Sequence, residues 1–312
     1  MDASIPLNHL RIPAFLLLVP VLCIHAAGAQ EQSVPRPEEL VRGVYYFEDQ
    51  GLFTMHGGAR VFSERYHDGV PIDFAGRVVF TFDDVVFDES LDRILDALAS
   101  RQIPAVFFLS GRHMLGVDVG AISSRLERII AAGHRIGNHS YSHDQFDRGV
   151  YADGRHDFRD VAEDLDRLEA IVDEALGYHY PMGLVRPPFG IRGNDATDAE
   201  ERMARPGTVD RVVAARGQDL VLWHINSLDF LIVPGGTYQP AELPELAAAR
   251  VAESLGGVIL FHSNRYTASV IEETIDAILA SRTGSGYPVR PTNLEEIYAI
   301  KYELDRTLTQ AR

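Results

Sequence analysis

The strongest constraint on the fold is an apolar stretch at residues 78–82 (Val-Val-Phe-Thr-Phe), which is followed directly by Asp83 and Asp84. A short, uninterrupted run of β-branched and aromatic residues is typical of a strand that is buried on both faces. Two adjacent carboxylates at the end of such a strand cost stability, because like charges repel, unless a cation relieves them. This stretch therefore predicts a buried strand that ends in a cation-binding acidic pair.

Strand-like and helix-like patterns alternate from residue 78 onward. Apolar residues spaced three and four apart predict amphipathic helices around residues 91–98, 161–172 and 270–279. Such alternation indicates an α/β fold with a parallel sheet and helices outside, either open and doubly wound or closed into a barrel. The polar segment at residues 191–217 is predicted to be a solvated helix or a lid. Strands are predicted at residues 78–82, 105–109, 134–138, 184–186, 220–225 and 258–261.

Chemically active side chains follow the carboxyl ends of these predicted strands, where parallel α/β folds build their sites. Taken one at a time, these residues have ordinary explanations, such as turns, helix caps or core histidines. Their joint occurrence at successive strand ends favours a catalytic site. They are Asp83, Asp84, His139, Arg186, Asn226, Asp229 and His262.

One of the two aspartates, together with His139 and His143, forms a candidate metal site. A carboxylate and two imidazoles leave coordination positions open, which is the catalytic rather than the structural arrangement. Zinc suits these ligands, and cobalt, nickel or iron can use the same set. The remaining aspartate is then available as a general base and a histidine as a general acid, so the pattern predicts metal-assisted hydrolysis of an amide or ester.

The amino-terminal residues have the pattern of a secretory signal peptide. Arg11 precedes an apolar run at residues 12–24, and small residues lead up to Ala29. The run is short for a membrane span, although a retained anchor is the alternative. We expect a signal peptide at 1–29, a lead-in segment at 30–76 with a short strand at 41–47, and a catalytic domain at 77–312. A secreted or periplasmic location follows, with no stable membrane span after signal cleavage.

Charge and cysteine content exclude several classes of function. A formal net charge of −16 argues against nucleic-acid binding, since phosphates require a basic surface. Cys23 is the only cysteine and lies within the predicted signal peptide. A mature chain without it has no disulfide, no thiol nucleophile and no thiolate metal ligand.

Five short motifs occur in a fixed order along the chain. They are Thr-Phe-Asp-Asp at 81–84, His-Ser-Tyr-Ser-His at 139–143, Arg-Pro-Pro-Phe-Gly at 186–190, Asn-Ser-Leu-Asp-Phe at 226–230 and Leu-Phe-His at 260–262. In this order they resemble the motifs of the polysaccharide deacetylases, the fourth carbohydrate esterase family. The resemblance implies a distorted (β/α) barrel of about seven parallel strands with helices outside.

The same resemblance implies roles for individual residues. Tyr141, Phe189 and Trp223 are the aromatic residues near the motifs that are candidates for contact with a sugar ring. The implied assignments are Asp83 as general base, Asp84, His139 and His143 as ligands of one divalent metal ion, Arg186 as the residue that orients the base, Leu260 as lining of the acetyl pocket, and His262 as general acid.

The chain departs from the family pattern at two motifs. Val85 follows the acidic pair where the family has glycine, and the fourth motif, normally Asp-x-x-Asp-Trp, has Asn226 at its first acidic position before Asp229. An asparagine can accept a hydrogen bond from an imidazole but cannot stabilise the imidazolium by charge. If the first acidic position of this motif is the one that tunes the general acid, the substitution predicts a lower pKa for His262 than is usual in the family.

The predicted function is a metal-dependent hydrolase that removes acetyl groups from N-acetylated, or O-acetylated, glycans such as chitooligosaccharide, peptidoglycan or exopolysaccharide. One alternative is an amidase that acts on a small non-glycan amide with the same scaffold. Another is a catalytically silent glycan-binding homologue. The presence of both a candidate base, Asp83, and a candidate acid, His262, argues against the silent homologue, because a binding protein needs neither.

Overall fold

The computed structural model describes residues 70–144, 146, 158–192, 207–232 and 236–300, and the backbone of short strands at 55–56, 59–61 and 66–67. The predicted signal peptide and the predicted strand at 41–47 lie outside these residues. In the described part of the chain, no helix combines the length and apolar character needed to cross a bilayer.

The described residues alternate between strands and helices, as the sequence predicts. The helices are α1 (Glu89–Ser100), α2 (Val119–Ala131), α3 (Phe158–Leu176), α4 (Thr208–Ala215), α5 (Leu243–Ala252), α6 (Arg265–Ser269) and α7 (Ile271–Ala280). The strands are β1 (Met55–His56), β2 (Ala59–Val61), β3 (Tyr66–His67), β4 (Val70–Pro71), β5 (Arg77–Asp83), β6 (Ala105–Leu109), β7 (Arg135–Asn138), β8 (Leu184–Val185), β9 (Asp219–Leu220), β10 (Ile225–Asn226), β11 (Gly257–His262) and β12 (Arg290–Pro291).

The main sheet has the strand order β1-β2-β9-β8-β7-β6-β5-β11-β10, with β12 beside β5. Every pairing from β2 through to β10 is parallel, and β1 pairs with β2 in the antiparallel direction. The sheet curls into a half-barrel with helices around it, which confirms the predicted distorted (β/α) barrel. Because β9 and β10 are consecutive in the chain, residues 221–224 link β9 to β10 at the far end of this strand order.

The central strand β5 is buried along nearly its whole length, as its uninterrupted apolar run predicts. Phe82 stacks against Phe107 of β6 and Phe261 of β11, with ring centroids 5.2 and 5.6 Å away. Helix α1 covers this region with an apolar stripe that includes Leu91 and Leu98. Burial of aromatic and aliphatic side chains on both faces makes β5 a rigid base for the polar residues at its carboxyl end.

The predicted strand at residues 220–225 is wrong as a single strand. The amide of Val221 donates to Val185 of β8, whereas the amide of His224 donates to Val258 of β11, so the chain changes partner strands within three residues. The Arg186 guanidinium accounts for the break, because it binds the carbonyls of Val221 and Leu222. The hydrogen bonds to the guanidinium replace those that a continuous β-strand would make at these two residues.

The prediction of a solvated helix or lid at residues 191–217 is also wrong where the structure describes that segment. Helix α4 buries Val209, Val212 and Val213 in an apolar cluster with Leu165 of α3. The apolar residues of α4 have helical spacing, but the charged residues between them make this pattern difficult to recognise in the sequence. The sequence pattern likewise does not predict helices α2, α5 and α6.

Candidate active site

The carboxyl ends of β5, β7, β8 and β11 bring most of the predicted site residues together. In the parallel pairing of β5 with β11, Asp83 is the register partner of His262. The amide of Arg186 donates to the carbonyl of Asn138, which places the residues after β8 and β7 side by side. Neighbouring parallel strands therefore present an acid, an arginine and histidines at one edge of the sheet.

Asp84, His139 and His143 form a three-residue cluster at this edge. Their ligand atoms all lie within 4.8 Å of one another. Nδ1 of His139 lies 2.6 Å from the carbonyl oxygen of Arg186, so it carries the proton and donates it there. Nε2 of His139 is thereby left without a proton and with a free lone pair, the state of a metal-ligating imidazole.

The donor geometry of this cluster fits a cation. Oδ1 of Asp84 lies 3.0 Å from Nε2 of His143 and 3.4 Å from Nε2 of His113. Neither contact has hydrogen-bond geometry, and this oxygen is buried without a hydrogen-bond partner. A buried carboxylate oxygen in that position needs a positive charge, and one carboxylate with two imidazoles is a donor set that suits zinc and similar divalent ions.

The electrostatics of the cluster favour the deprotonated ligand forms. Burial by itself raises the pKa of Asp84, but the imidazoles of His113, His143 and His139 outweigh it and hold this pKa well below the usual value. Burial lowers the pKa of His139 below its usual value, against the opposing charges of Asp83 and Asp84. A carboxylate and a neutral imidazole are the states in which these groups bind metal.

Arg186 fixes the second aspartate of the pair. Its side chain is fully buried, and Nη1 donates to Oδ1 of Asp83 at 2.7 Å and to the hydroxyl of Thr81 at 2.8 Å. The guanidinium also lies over the Phe108 ring, 4.1 Å from its centroid. Oδ2 of Asp83, the oxygen not bound by Arg186, lies 3.6 Å from Nε2 of His139. The ion pair thus orients one free carboxylate oxygen toward the metal-ligand cluster.

Asp229 binds the histidine on the other side of the site. Its Oδ1 lies 2.9 Å from Nδ1 of His262, and its Oδ2 accepts hydrogen bonds from the His262 amide at 2.6 Å and the Thr267 hydroxyl at 2.8 Å. Burial alone lowers the pKa of His262, but the charge and hydrogen bond of Asp229, with smaller effects of Asp83 and Asp84, raise it to about 9. His262 is therefore protonated at neutral pH.

The structure does not meet the condition for a lowered pKa of His262, namely that the residue at position 226 tunes this imidazole. The Asn226 side chain accepts a hydrogen bond from the amide of Leu228 at 2.9 Å and so stabilises the turn that leads to Asp229. Asp229, three residues further on, is the fully buried acidic partner of the imidazole. The charge expected at position 226 is thus supplied from position 229.

The four candidate substrate-contacting residues differ in exposure. Leu260 is buried in β11, Tyr141 lies under the guanidinium of Arg167 at 3.7 Å, and Trp223 packs against Gly190. Phe189 is 57% exposed and meets the edge of the His143 ring, with centroids 4.9 Å apart. Of the four, Phe189 has the geometry of a side chain that meets a ligand at the rim of the site.

Sequence reasoning missed three residues beside the site. His113 approaches Asp84 from the turn after β6, and Asp164 of α3 binds the loop between the two ligand histidines. Phe230 is 47% exposed, with its ring centroid 6.2 Å from that of His262. Only Phe230 had a signal, since it lies within the fourth motif.

Comparisons with known proteins find relatives among the polysaccharide deacetylases. A family model described as polysaccharide deacetylase matches residues 75–205. A chitooligosaccharide deacetylase of Sinorhizobium fredii is 30% identical over 169 residues, which cover 48% of this chain and 72% of that protein. A peptidoglycan-N-acetylglucosamine deacetylase of Bacillus cereus is 33% identical over 113 residues, 36% of each chain.

Solved structures share the fold. A CE4 esterase from Streptococcus mutans superposes with a TM-score of 0.52 at 23% identity, over 66% of this chain and 82% of that one. The chain spans about half the length or less of several curated relatives that it matches.

Proposed function

This chain belongs to the polysaccharide deacetylase family, and we propose that it is a secreted or periplasmic, metal-dependent hydrolase that removes acetyl groups from N-acetylated glycans. The observation that carries the proposal is the pairing of two differently held proton-transfer groups beside the metal-ligand cluster. Asp83 is an ion-paired carboxylate with one free oxygen, and His262 is an imidazolium stabilised by Asp229. A carboxylate oxygen that is free of the ion pair can accept a proton and an imidazolium can donate one, so the two groups suit a base and an acid.

The chain's own residues supply the proton transfers of amide hydrolysis. Oδ2 of Asp83 is placed to accept the proton of the attacking water, while Arg186 holds the other oxygen of that carboxylate. His262, protonated at neutral pH, gives its Nε2 proton to the departing amine nitrogen, and Asp229 stabilises the imidazolium until that transfer occurs. The free sugar amine and acetate are the products.

Asp84, His139 and His143 are the residues that would hold a divalent cation, with zinc favoured by the donor set and cobalt, nickel or iron as alternatives. When bound there, such an ion supplies Lewis-acid chemistry that lowers the pKa of water and polarises an amide carbonyl.

An acetylated glycan is the proposed substrate. Phe189 and Phe230 are exposed aromatic side chains beside the candidate metal and acid residues, and aromatic faces suit the apolar face of a sugar ring. Leu260 is buried near the end of β11, two residues before His262, and its position supports the proposal that it contacts the acetyl methyl group. Relatives named for chitooligosaccharide and peptidoglycan deacetylation support the same class of substrate. The predicted signal peptide at residues 1–29 supports an extracytoplasmic location, where such polymers occur.

Acetate release from a panel of glycans tests the proposal. Chitooligosaccharides, peptidoglycan, poly-N-acetylglucosamine and acetylated xylan are incubated with metal-free protein, with and without added zinc or cobalt. We expect release that depends on metal and is abolished in Asp83→Asn, while Asp166→Asn, which changes an exposed aspartate on α3, retains full activity. Metal binding without acetate release from any glycan would contradict the proposal and favour a small amide substrate or a glycan-binding role.

A further inference from the structure

A carboxylate of helix α3 binds the amides at the centre of the loop between the two ligand histidines. Oδ1 of Asp164 accepts hydrogen bonds from the amides of Tyr141 at 2.5 Å and Ser142 at 3.1 Å, and Oδ2 accepts one from the Ser142 hydroxyl at 2.5 Å. We propose that Asp164 is a positioning residue of the metal site, which fixes this loop so that His139 and His143 present their nitrogens to one cation. The inference rests on the metal centre of the proposed function.

The loop requires such support because its backbone is strained. Ser140 and His143 have φ angles of 70° and 56°, in the left-handed region that residues with a Cβ rarely adopt. Such conformations persist only where the surrounding structure determines them. Without this turn, the chain would continue away from the end of β7, and the His139 and His143 side chains would lie too far apart to bind one cation.

Other hydrogen bonds satisfy the ends of the loop and two of its carbonyls, since the amides of Gly111 and Arg112 donate to the carbonyls of Ser140 and Tyr141 at 3.1 and 2.8 Å. The amide of Ser140 donates to Oδ1 of Asn138 at 2.9 Å, and the amide of His143 donates to the hydroxyl of Ser140 at 2.9 Å. The two central amides, those of Tyr141 and Ser142, both point to Asp164. A carboxylate suits this position because two of its lone pairs accept the amides while others accept the hydroxyl.

Two other contacts fix the position of helix α3 relative to the loop. Arg167, one helical turn after Asp164, stacks its guanidinium 3.7 Å from the centroid of the Tyr141 ring. Nδ2 of Asn138 donates to the carbonyl of Leu165 at 3.0 Å. Strand β7, the loop and helix α3 are therefore joined around Asp164, and the spacing of the two histidines depends on that junction. Residues that orient metal ligands in this way typically affect metal affinity by about 10–100-fold.

Metal affinity tests the inference without reference to turnover. Zinc is titrated into the metal-free protein by calorimetry, and the cobalt form is followed by its visible absorption, which reports coordination geometry. We expect Asp164→Ala to weaken zinc binding by about 10–100-fold and to change the cobalt spectrum. Asp164→Asn, which keeps an oxygen for the two amides, should recover most of the affinity.

Two further variants separate positioning from general stability. Ser142→Ala removes one donor to Asp164 with little risk to folding, and it should weaken zinc binding in the same direction by a smaller factor. Asp166→Ala, on the same helix, breaks an exposed ion pair with Arg216 and should leave zinc affinity unchanged.

Unchanged zinc affinity in folded Asp164→Ala, or in Ser142→Ala if the first variant does not fold, would overturn the inference. A parent protein that binds no metal would instead overturn the proposed function, and this inference with it. Metal binding without acetate release would count against the deacetylase proposal alone.

Discussion

Replacement of Asp229 by asparagine removes one charge and little volume beside the candidate general acid. In the parent protein the pKa of His262 is raised from 6.5 to about 9, chiefly by the charge and hydrogen bond of Asp229 acting against burial. A rise of that size corresponds to roughly 3 kcal/mol of preference for the imidazolium. Without the charge, burial dominates, and we expect the pKa of His262 in Asp229→Asn to fall by about 2 units or more.

Titration of His262 by NMR in the metal-free protein measures this change directly, because a bound cation would itself shift the imidazole. In the metal-loaded enzyme, the basic limb of the pH profile of kcat/KM should move to lower pH by a similar amount. Asn226→Asp is the matched control, since Asn226 contacts the turn amide of Leu228 rather than the imidazole. A basic limb that stays in place in Asp229→Asn, or that moves instead in Asn226→Asp, would refute the reasoning.

The Asp229–His262 pair makes the free energy of unfolding depend on pH. Because the folded-state pKa of His262 is raised above 6.5, its contribution to the free energy of unfolding is fully present below about pH 6.5. That contribution is lost as the pH rises through about 9, so metal-free parent protein should lose up to roughly 3 kcal/mol across this window, whereas Asp229→Asn should not. Urea unfolding at several pH values checks the difference, and parallel curves for the two proteins would count against it.

Three further substitutions have defined consequences. Arg186→Lys keeps the charge beside Asp83 but loses the planar donors to two carbonyls. We expect loss of acetate release and about 1–3 kcal/mol of stability, measured by urea unfolding, and full activity would contradict the role of the guanidinium. Arg192→Ala leaves Asp210 buried without its ion-pair partner. We expect the free energy of unfolding to fall by about 3–5 kcal/mol while the folded protein keeps its zinc affinity. An unchanged free energy of unfolding would show that the pair is dispensable. Phe189→Ala removes an exposed ring at the rim of the site. The KM for a glycan should rise by about tenfold, which corresponds to about 1.4 kcal/mol, and the melting temperature should change little. An unchanged KM would exclude the ring from substrate contact.

The sequence predicts the position of the site because of one geometric rule. Parallel strands end at the same edge of a sheet, so reactive residues after separate strands meet in space. Asp83, the last residue of β5, and His262, the last residue of β11, are 179 positions apart yet are register partners. Strands β5 and β6 are also predicted within a residue or two, since both are continuous apolar runs that are buried along their length.

The remaining features depend on contacts that no local pattern records. The break between β9 and β10 follows from the Arg186 guanidinium, which binds the carbonyls of Val221 and Leu222 within the break. The partner of His262 is Asp229 rather than Asn226 because the turn after β10 directs the later side chain inward. Asp164 lies on the polar face of an amphipathic helix, and helical periodicity identifies only the buried face.

The central claim is that one cation, held by Asp84, His139 and His143, acts together with a general base and a general acid in hydrolysis. Acetate release measured as a function of bound zinc tests this claim most directly. Zinc is added in steps to the metal-free protein, and release from a responsive glycan is measured at each step. We expect the rate to rise in proportion to zinc and to level off at one equivalent per chain. His139→Ala should bind little zinc and release no acetate, whereas Asp83→Asn should bind one equivalent and still release none. Release that is independent of zinc, or that persists in His139→Ala, would contradict the claim.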